Sequence, residues 1–99
     1  MSKIIRTGEI TNQSADEVYL ASVAAFEAVG FEVWKKRPLA WLSLARKKID
    51  GVEISANFAA RPSSPVSYTL TMTAGGLSEE TLNEFVDQVI EQFQMGFSE

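Results

Sequence analysis

The chain contains no cysteine and no histidine. The first absence excludes a disulfide framework, a thiolate nucleophile and a cysteine-built metal site, and it leaves the redox compartment open. The second removes the commonest general base and the commonest transition-metal ligand. Chemistry would have to come from carboxylates, lysine, tyrosine or hydroxyls. No stretch approaches the roughly 20 apolar residues of a membrane span, and the opening Met1-Ser2-Lys3-Ile4-Ile5-Arg6 has no apolar run of signal-peptide length. No membrane partner is expected, and the expected location is cytoplasmic. A phosphate loop and a nucleophile elbow are also missing. No Asp/Asn/Gly loop with calcium-site spacing accompanies Glu79, Glu80, Glu84, Asp87 and Glu91. These absences predict no cofactor, no metal site, no catalytic residue and a non-enzymatic role.

What remains is a 99-residue chain with a net charge of -4, long enough to bury one core without staples. Its charge is unevenly spread: residues 1–30 sum to -2, residues 31–61 to +4 and residues 62–99 to -6. The middle is basic and the end acidic, which reads first as mutual attraction within one domain spanning residues 1–99 and otherwise as basic loops meeting an acidic partner.

The stretch from Phe31 to Thr73 reads as four consecutive strands. Antiparallel neighbours share a face, so each turn fixes the pattern of the next strand. A first turn centred on Arg37-Pro38 sets Phe31 against Leu44, Val33 against Leu42, Trp34 against Trp41 and Glu32 against Ser43. Asp50-Gly51 is a strong hairpin signal. A two-residue turn there pairs Ile49 with Val52 and puts Leu42 and Leu44 opposite in face to Ile54 and Phe58. A three-residue loop, Ile49-Asp50-Gly51, keeps all the apolar residues on one face and is the expected form. Across Arg61-Pro62-Ser63-Ser64-Pro65 the pattern pairs Phe58 with Tyr68, Ala56 with Leu70 and Ile54 with Met72.

Lys3–Ile10 reads as a first strand. Ser14-Ala15-Asp16-Glu17 is a capping box opening a helix that runs to about Val29, with Gly30 as its stop. Val18, Tyr19, Ser22, Val23, Ala25, Phe26 and Val29 share one side of it. Ser78 caps a last helix whose stripe is Leu82, Phe85, Val86, Val89, Ile90, Phe93 and Phe97. The predicted class is α+β, in the order β-α-β-β-β-β-α, an antiparallel sheet with two helices on one face.

This order resembles the β-α-β4-α unit of the TATA-box-binding-protein-like fold, which also underlies the helix-grip proteins of the Bet v 1 and START type. Ser14-Ala15-Asp16-Glu17-Val18-Tyr19 is similar to the entry of the first helix in helix-grip domains, and Gly30-Phe31-Glu32-Val33 to its exit in small bacterial domains of unknown function. The resemblance implies a fold and carries over no functional residue.

The open face of the sheet is the expected contact surface. Trp34 and Trp41 stand there beside Ser43, Asn57, Thr69 and Thr71, offering indole faces for stacking and hydroxyls for hydrogen bonds. Read structurally, the same residues are an ordinary cross-strand aromatic pair on a Thr/Ser-rich face. The favoured partner is a second copy, docked through the open face or through the first-strand edge, because the unit works elsewhere in pairs. The alternative is a small apolar or aromatic ligand in a groove between the sheet and the first helix. No nucleic-acid partner is expected. Lys35-Lys36-Arg37 and Arg46-Lys47-Lys48 fall at opposite ends of the strand block. Ser78-Glu79-Glu80 stands where double-stranded-RNA-binding domains carry phosphate-holding lysines.

Overall fold

The computed structural model describes residues 2–97, so Met1, Ser98 and Glu99 lie outside the described residues. Its elements are β1 (Ser2–Ile10), α1 (Ala15–Ala28), β2 (Glu32–Arg37), a 3-10 turn (Pro38–Ala40), β3 (Leu42–Ile49), β4 (Val52–Arg61), β5 (Val66–Ala74) and α2 (Glu79–Met95). The strands form one antiparallel sheet in the order β1-β5-β4-β3-β2. Both helices cover the same face: α1 rests on β2, β3 and β4, α2 on β1 and β5, and the helices touch each other. Among the described residues no helix is long and apolar enough to cross a membrane.

The helix ends follow the local chemistry of the sequence. Ser14 accepts from the Glu17 amide at 3.1 Å, while the Glu17 carboxylate accepts from the Ser14 amide at 2.9 Å. Two otherwise orphaned donors are thereby satisfied. Gly30 takes the left-handed conformation that ends the helix, with φ +90°. The apolar stripes bury as expected, with Val18, Phe26, Leu82 and Val86 at 0% exposure.

The sheet register departs from the expectation at two turns. The first hairpin does not turn at Arg37-Pro38. The chain instead runs through Pro38–Ala40 and reverses at Trp41, which is left-handed at φ +50° with its amide donating to the Pro38 carbonyl at 3.2 Å. Glu32 consequently pairs with Arg46 and Val33 with Ala45, Trp34 bulges out, and Lys35, Lys36 and Arg37 pair with Leu44, Ser43 and Leu42. At the second hairpin, Asp50 (φ +50°) and Gly51 (φ +80°) form the two-residue turn, and Ile49 pairs with Val52. Two successive positive φ values match the right-handed twist of the flanking strands, which a type I turn would splay. This corrects the three-residue loop.

The consequence is an inverted β3. Ser43 and Ala45 face the helices, at 0% and 1% exposure, and Leu42 and Leu44 lie half-buried on the open face. The core tolerates this because the buried hydroxyl has a partner. Ser22 of α1 donates to the Tyr19 carbonyl at 2.6 Å, and its oxygen lies 3.2 Å from the Ser43 hydroxyl. With its one proton committed, Ser22 accepts and Ser43 donates. The β4–β5 pairing keeps the expected faces but slides by two residues, setting Phe58 opposite Leu70 and Ala60 opposite Tyr68.

Gly8 of β1 marks another close approach. A Cβ there would lie 2.5 Å from the Tyr68 hydroxyl and 2.7 Å from its ring. Gly8→Ala must push the phenol out of its packing, at a cost of about 1–3 kcal/mol. Gly51→Ala meets no atom within 4 Å, so its cost is the left-handed penalty alone, about 1–2 kcal/mol. Urea unfolding of the two variants measures both, with an unchanged slope expected for Gly51→Ala.

Candidate functional site

Aromatic rings pack between the sheet and α2. Phe58 and Tyr68 stack with centroids 5.4 Å apart, and Phe93 closes on them at 5.2 and 4.9 Å. On the α1 side the Ser22–Ser43 contact, Phe26 and Ala45 occupy the gap.

The residues singled out in the sequence fall in three different places. Trp34 is 51% exposed on the open face, with the Arg46 guanidinium carbon 5.8 Å from its ring centroid and Arg46 in turn paired to Glu32 at 2.8 Å. Trp41 does not oppose it. The left-handed turn swings the Trp41 indole toward α1, where its N–H donates to Asp16 Oδ1 at 2.8 Å. Ser43 is fully buried against Ser22 and presents nothing to solvent. Asn57, Thr69 and Thr71 do lie on the open face. Trp34, Leu44, Ser55, Asn57, Thr71 and Thr73 line a groove of about 130 Å³ there, and Thr69 is one step further along β5.

The two basic runs, expected at opposite ends of the strand block, approach each other instead, with Lys35 paired to Leu44, two residues from Arg46. Lys47 points inward, donating to the Val29 carbonyl at the end of α1 at 2.7 Å, with its ammonium 5.9 Å from the Phe31 ring and 5.7 Å from that of Phe85. It acts as a cationic cap on the negative helix end. Among the described residues no cluster of three acidic, histidine or cysteine side chains is placed to hold a metal ion.

A second surface was not legible in the sequence. Between the first turns of α1 and the corner after β2 lies an open cleft of about 550 Å³, lined by Asp16, Tyr19, Leu20, Lys36, Pro38 and Leu39. Its walls are largely apolar, and Leu39 and Leu20 are 96% and 62% exposed. Asp16, anchored by Trp41, and Lys36 contribute opposite charges to its lining. Pro38-Leu39-Ala40 carries no periodic signal, so only the fold places Leu39 beside α1.

No protein-family model matches the chain, and no curated protein matches it. Solved structures do. The di-domain ARO/CYC BexL from the BE-7585A biosynthetic pathway superposes with a TM-score of 0.58 at 14% identity, over 97% of this chain and 44% of BexL. The fold is helix-grip-like. The chain spans less than half of BexL's length. Zhui aromatase/cyclase from Streptomyces sp. R1128 gives a TM-score of 0.47 at 12% identity, covering 95% of this chain and 87% of Zhui. Ara h 8.0201 gives 0.46 at 9%, covering 98% of each chain. At these identities the likeness is one of fold. It nevertheless overturns the expectation of a non-enzymatic chain. The fold is shared with BexL, named as a di-domain ARO/CYC, so missing histidine and cysteine do not settle the matter.

Burial raises the Tyr68 phenol above its ordinary value of 10.0, with the nearby Arg6 charge pulling weakly the other way. A pKa raised on folding favours the protonated form, so its stabilising effect is complete below pH 10 and is lost as pH climbs through the folded value. Stability is expected to fall above about pH 10, and Tyr68→Phe to lessen that fall. Urea midpoints between pH 8 and pH 11.5 check this. Identical slopes in the two proteins would contradict it.

Proposed function

We propose that this chain binds a small, largely apolar aromatic molecule in the cleft between α1 and the corner after β2. The observation that carries this reading is the cleft itself: about 550 Å³ lined by Tyr19, Leu20, Pro38 and Leu39, with one cation, Lys36, and one anion, Asp16. That volume lies in the range of small-molecule sites, which combine apolar walls with a few placed polar groups. Leu39, almost wholly exposed at the tip of a corner, contributes nothing to the core, and a ligand gives it a role. The fold shared with BexL, named for a biosynthetic pathway, supports a small-molecule ligand. In this reading the site lies beside the β2 edge of the sheet, against α1.

The probe that tests it is 1-anilinonaphthalene-8-sulfonate, an aromatic anion suited to apolar walls beside Lys36. Its binding is followed by energy transfer from tryptophan, Trp41 being hydrogen-bonded to the cleft residue Asp16. Leu39→Asp and Leu20→Asp are expected to weaken binding by about tenfold or more, equivalent to ~1.4 kcal/mol. Because both side chains are exposed, the unfolding midpoint should not move. Equal affinity in the variants, or dye uptake only as the protein loosens toward a molten state, overturns the reading.

A second reading is self-association, favoured by a contrast between the two sheet edges. β2 is short, bulged at Trp34 and lined by Lys35, Lys36 and Arg37. Such features guard an edge against pairing. β1 is nine residues long and regular in its pairing with β5. The open face, with Trp34, Asn57, Thr69 and Thr71, is the other surface available to a second copy. Sedimentation velocity that finds only monomer at high micromolar concentration would remove this reading.

A further inference from the structure

The unguarded edge can be taken further, to a specific register, on the basis of the self-association reading. A β1 strand pairing with its own copy in antiparallel fashion must keep like faces together, since the side chains repeat every two residues. The symmetry axis therefore passes through a residue. Its choices near the middle of Ser2–Ile10 are Ile5, Arg6 and Thr7. Centring on Ile5 sets Lys3 opposite Thr7, and centring on Thr7 sets Glu9 opposite Ile5. Either shift also leaves two residues of each strand unpaired.

We infer that two copies of this chain join β1 to β1 about Arg6, with Lys3 of each copy opposite Glu9 of the other. In this register all nine residues pair, extending the five-stranded sheet to ten strands. Lys3 and Glu9 are both exposed and lie on the open face, because they pair with Thr73 and Ser67 of β5. Opposite charges in directly opposed cross-strand positions are stabilising, and like charges there are unfavourable. The two arginines that meet at the axis each bring a counter-ion. Arg6 binds Asp87 Oδ1 at 3.0 Å and Asn83 Oδ1 at 2.8 Å from α2. The centre of the joint then holds two guanidiniums and two carboxylates rather than two bare cations. Every outward-facing amide and carbonyl of an otherwise open edge acquires a partner.

Sedimentation velocity of the full chain at low salt tests this, over a concentration series, with Lys3→Glu, Glu9→Lys, the double exchange and Trp34→Ala. Each single reversal sets two like-charge pairs across the joint. It is expected to raise the dimer dissociation constant about tenfold or more, while the double exchange restores the pairs with signs reversed and returns it to within about threefold of the parent. Added salt should weaken the parent dimer. Melting curves confirm that the exposed substitutions leave the fold intact. Reversals without effect overturn this register. If Trp34→Ala alone then dissociates the dimer, self-association stands and lies on the open face. A parent protein that stays monomeric throughout overturns both.

Discussion

Two left-handed residues, Asp50 and Gly51, decide which side of β3 meets the helices. A two-residue hairpin locks Ile49 opposite Val52, and the alternation of a strand propagates that choice over its whole length. Since β4 is committed to the core by Ile54, Ala56 and Phe58, β3 has no freedom left. Ser43 and Ala45 turn inward, and Leu42 and Leu44 turn out. The fold accommodates a serine in its core only because Ser22 stands above it on α1. An unpartnered buried hydroxyl would cost about 1–3 kcal/mol, comparable to what burying a leucine contributes. One turn thus sets the helix-to-sheet contact and places two leucines on the open face.

With two helices laid across five strands, Phe58, Tyr68 and Phe93 meet at centroid separations of 4.9–5.4 Å, which holds α2 against the sheet. The corner after β2 has its own origin: the chain must pass through Pro38–Ala40 and the left-handed Trp41 before β3 can start. That detour carries Leu39 out beside α1. It also lets Trp41 reach Asp16, tying the corner to the first turn of the helix.

Much of this fold is written locally. The capping box at Ser14, the stop at Gly30, the Ser78 cap and the apolar stripe of α2 depend on neighbours within a few residues, and each can be read from the chain directly. The inward faces of β4 and β5 are legible for a related reason, since alternation needs only one correctly placed residue. The register of β2 against β3 was not legible, because it depends on a bulge at Trp34 and a corner whose length no local signal fixes. The face of β3 depends on a residue distant in sequence: Ser43 can turn inward because Ser22 on α1 satisfies its hydroxyl, and no local signal in β3 carries that information. The expected tryptophan pair rests on a turn at Arg37-Pro38, and the corner at Pro38–Ala40 with the bulge at Trp34 separates the two indoles and carries Leu39 outward.

The asymmetry of the two sheet edges bears on how such a small domain avoids uncontrolled assembly. A bulge and three successive cations make the β2 edge a poor template, since an incoming strand would meet both a break in the ladder and unscreened positive charge. Neither device protects β1. What limits β1 is the height of its helix layer, for α2 lies against it and presents Asn83 and Asp87 to Arg6. Any strand arriving at that edge must leave room for those groups and offer charges that suit Lys3 and Glu9. A bulge and three cations on one edge, against a regular nine-residue strand on the other, leave the two edges of the sheet unlike in what they can accept.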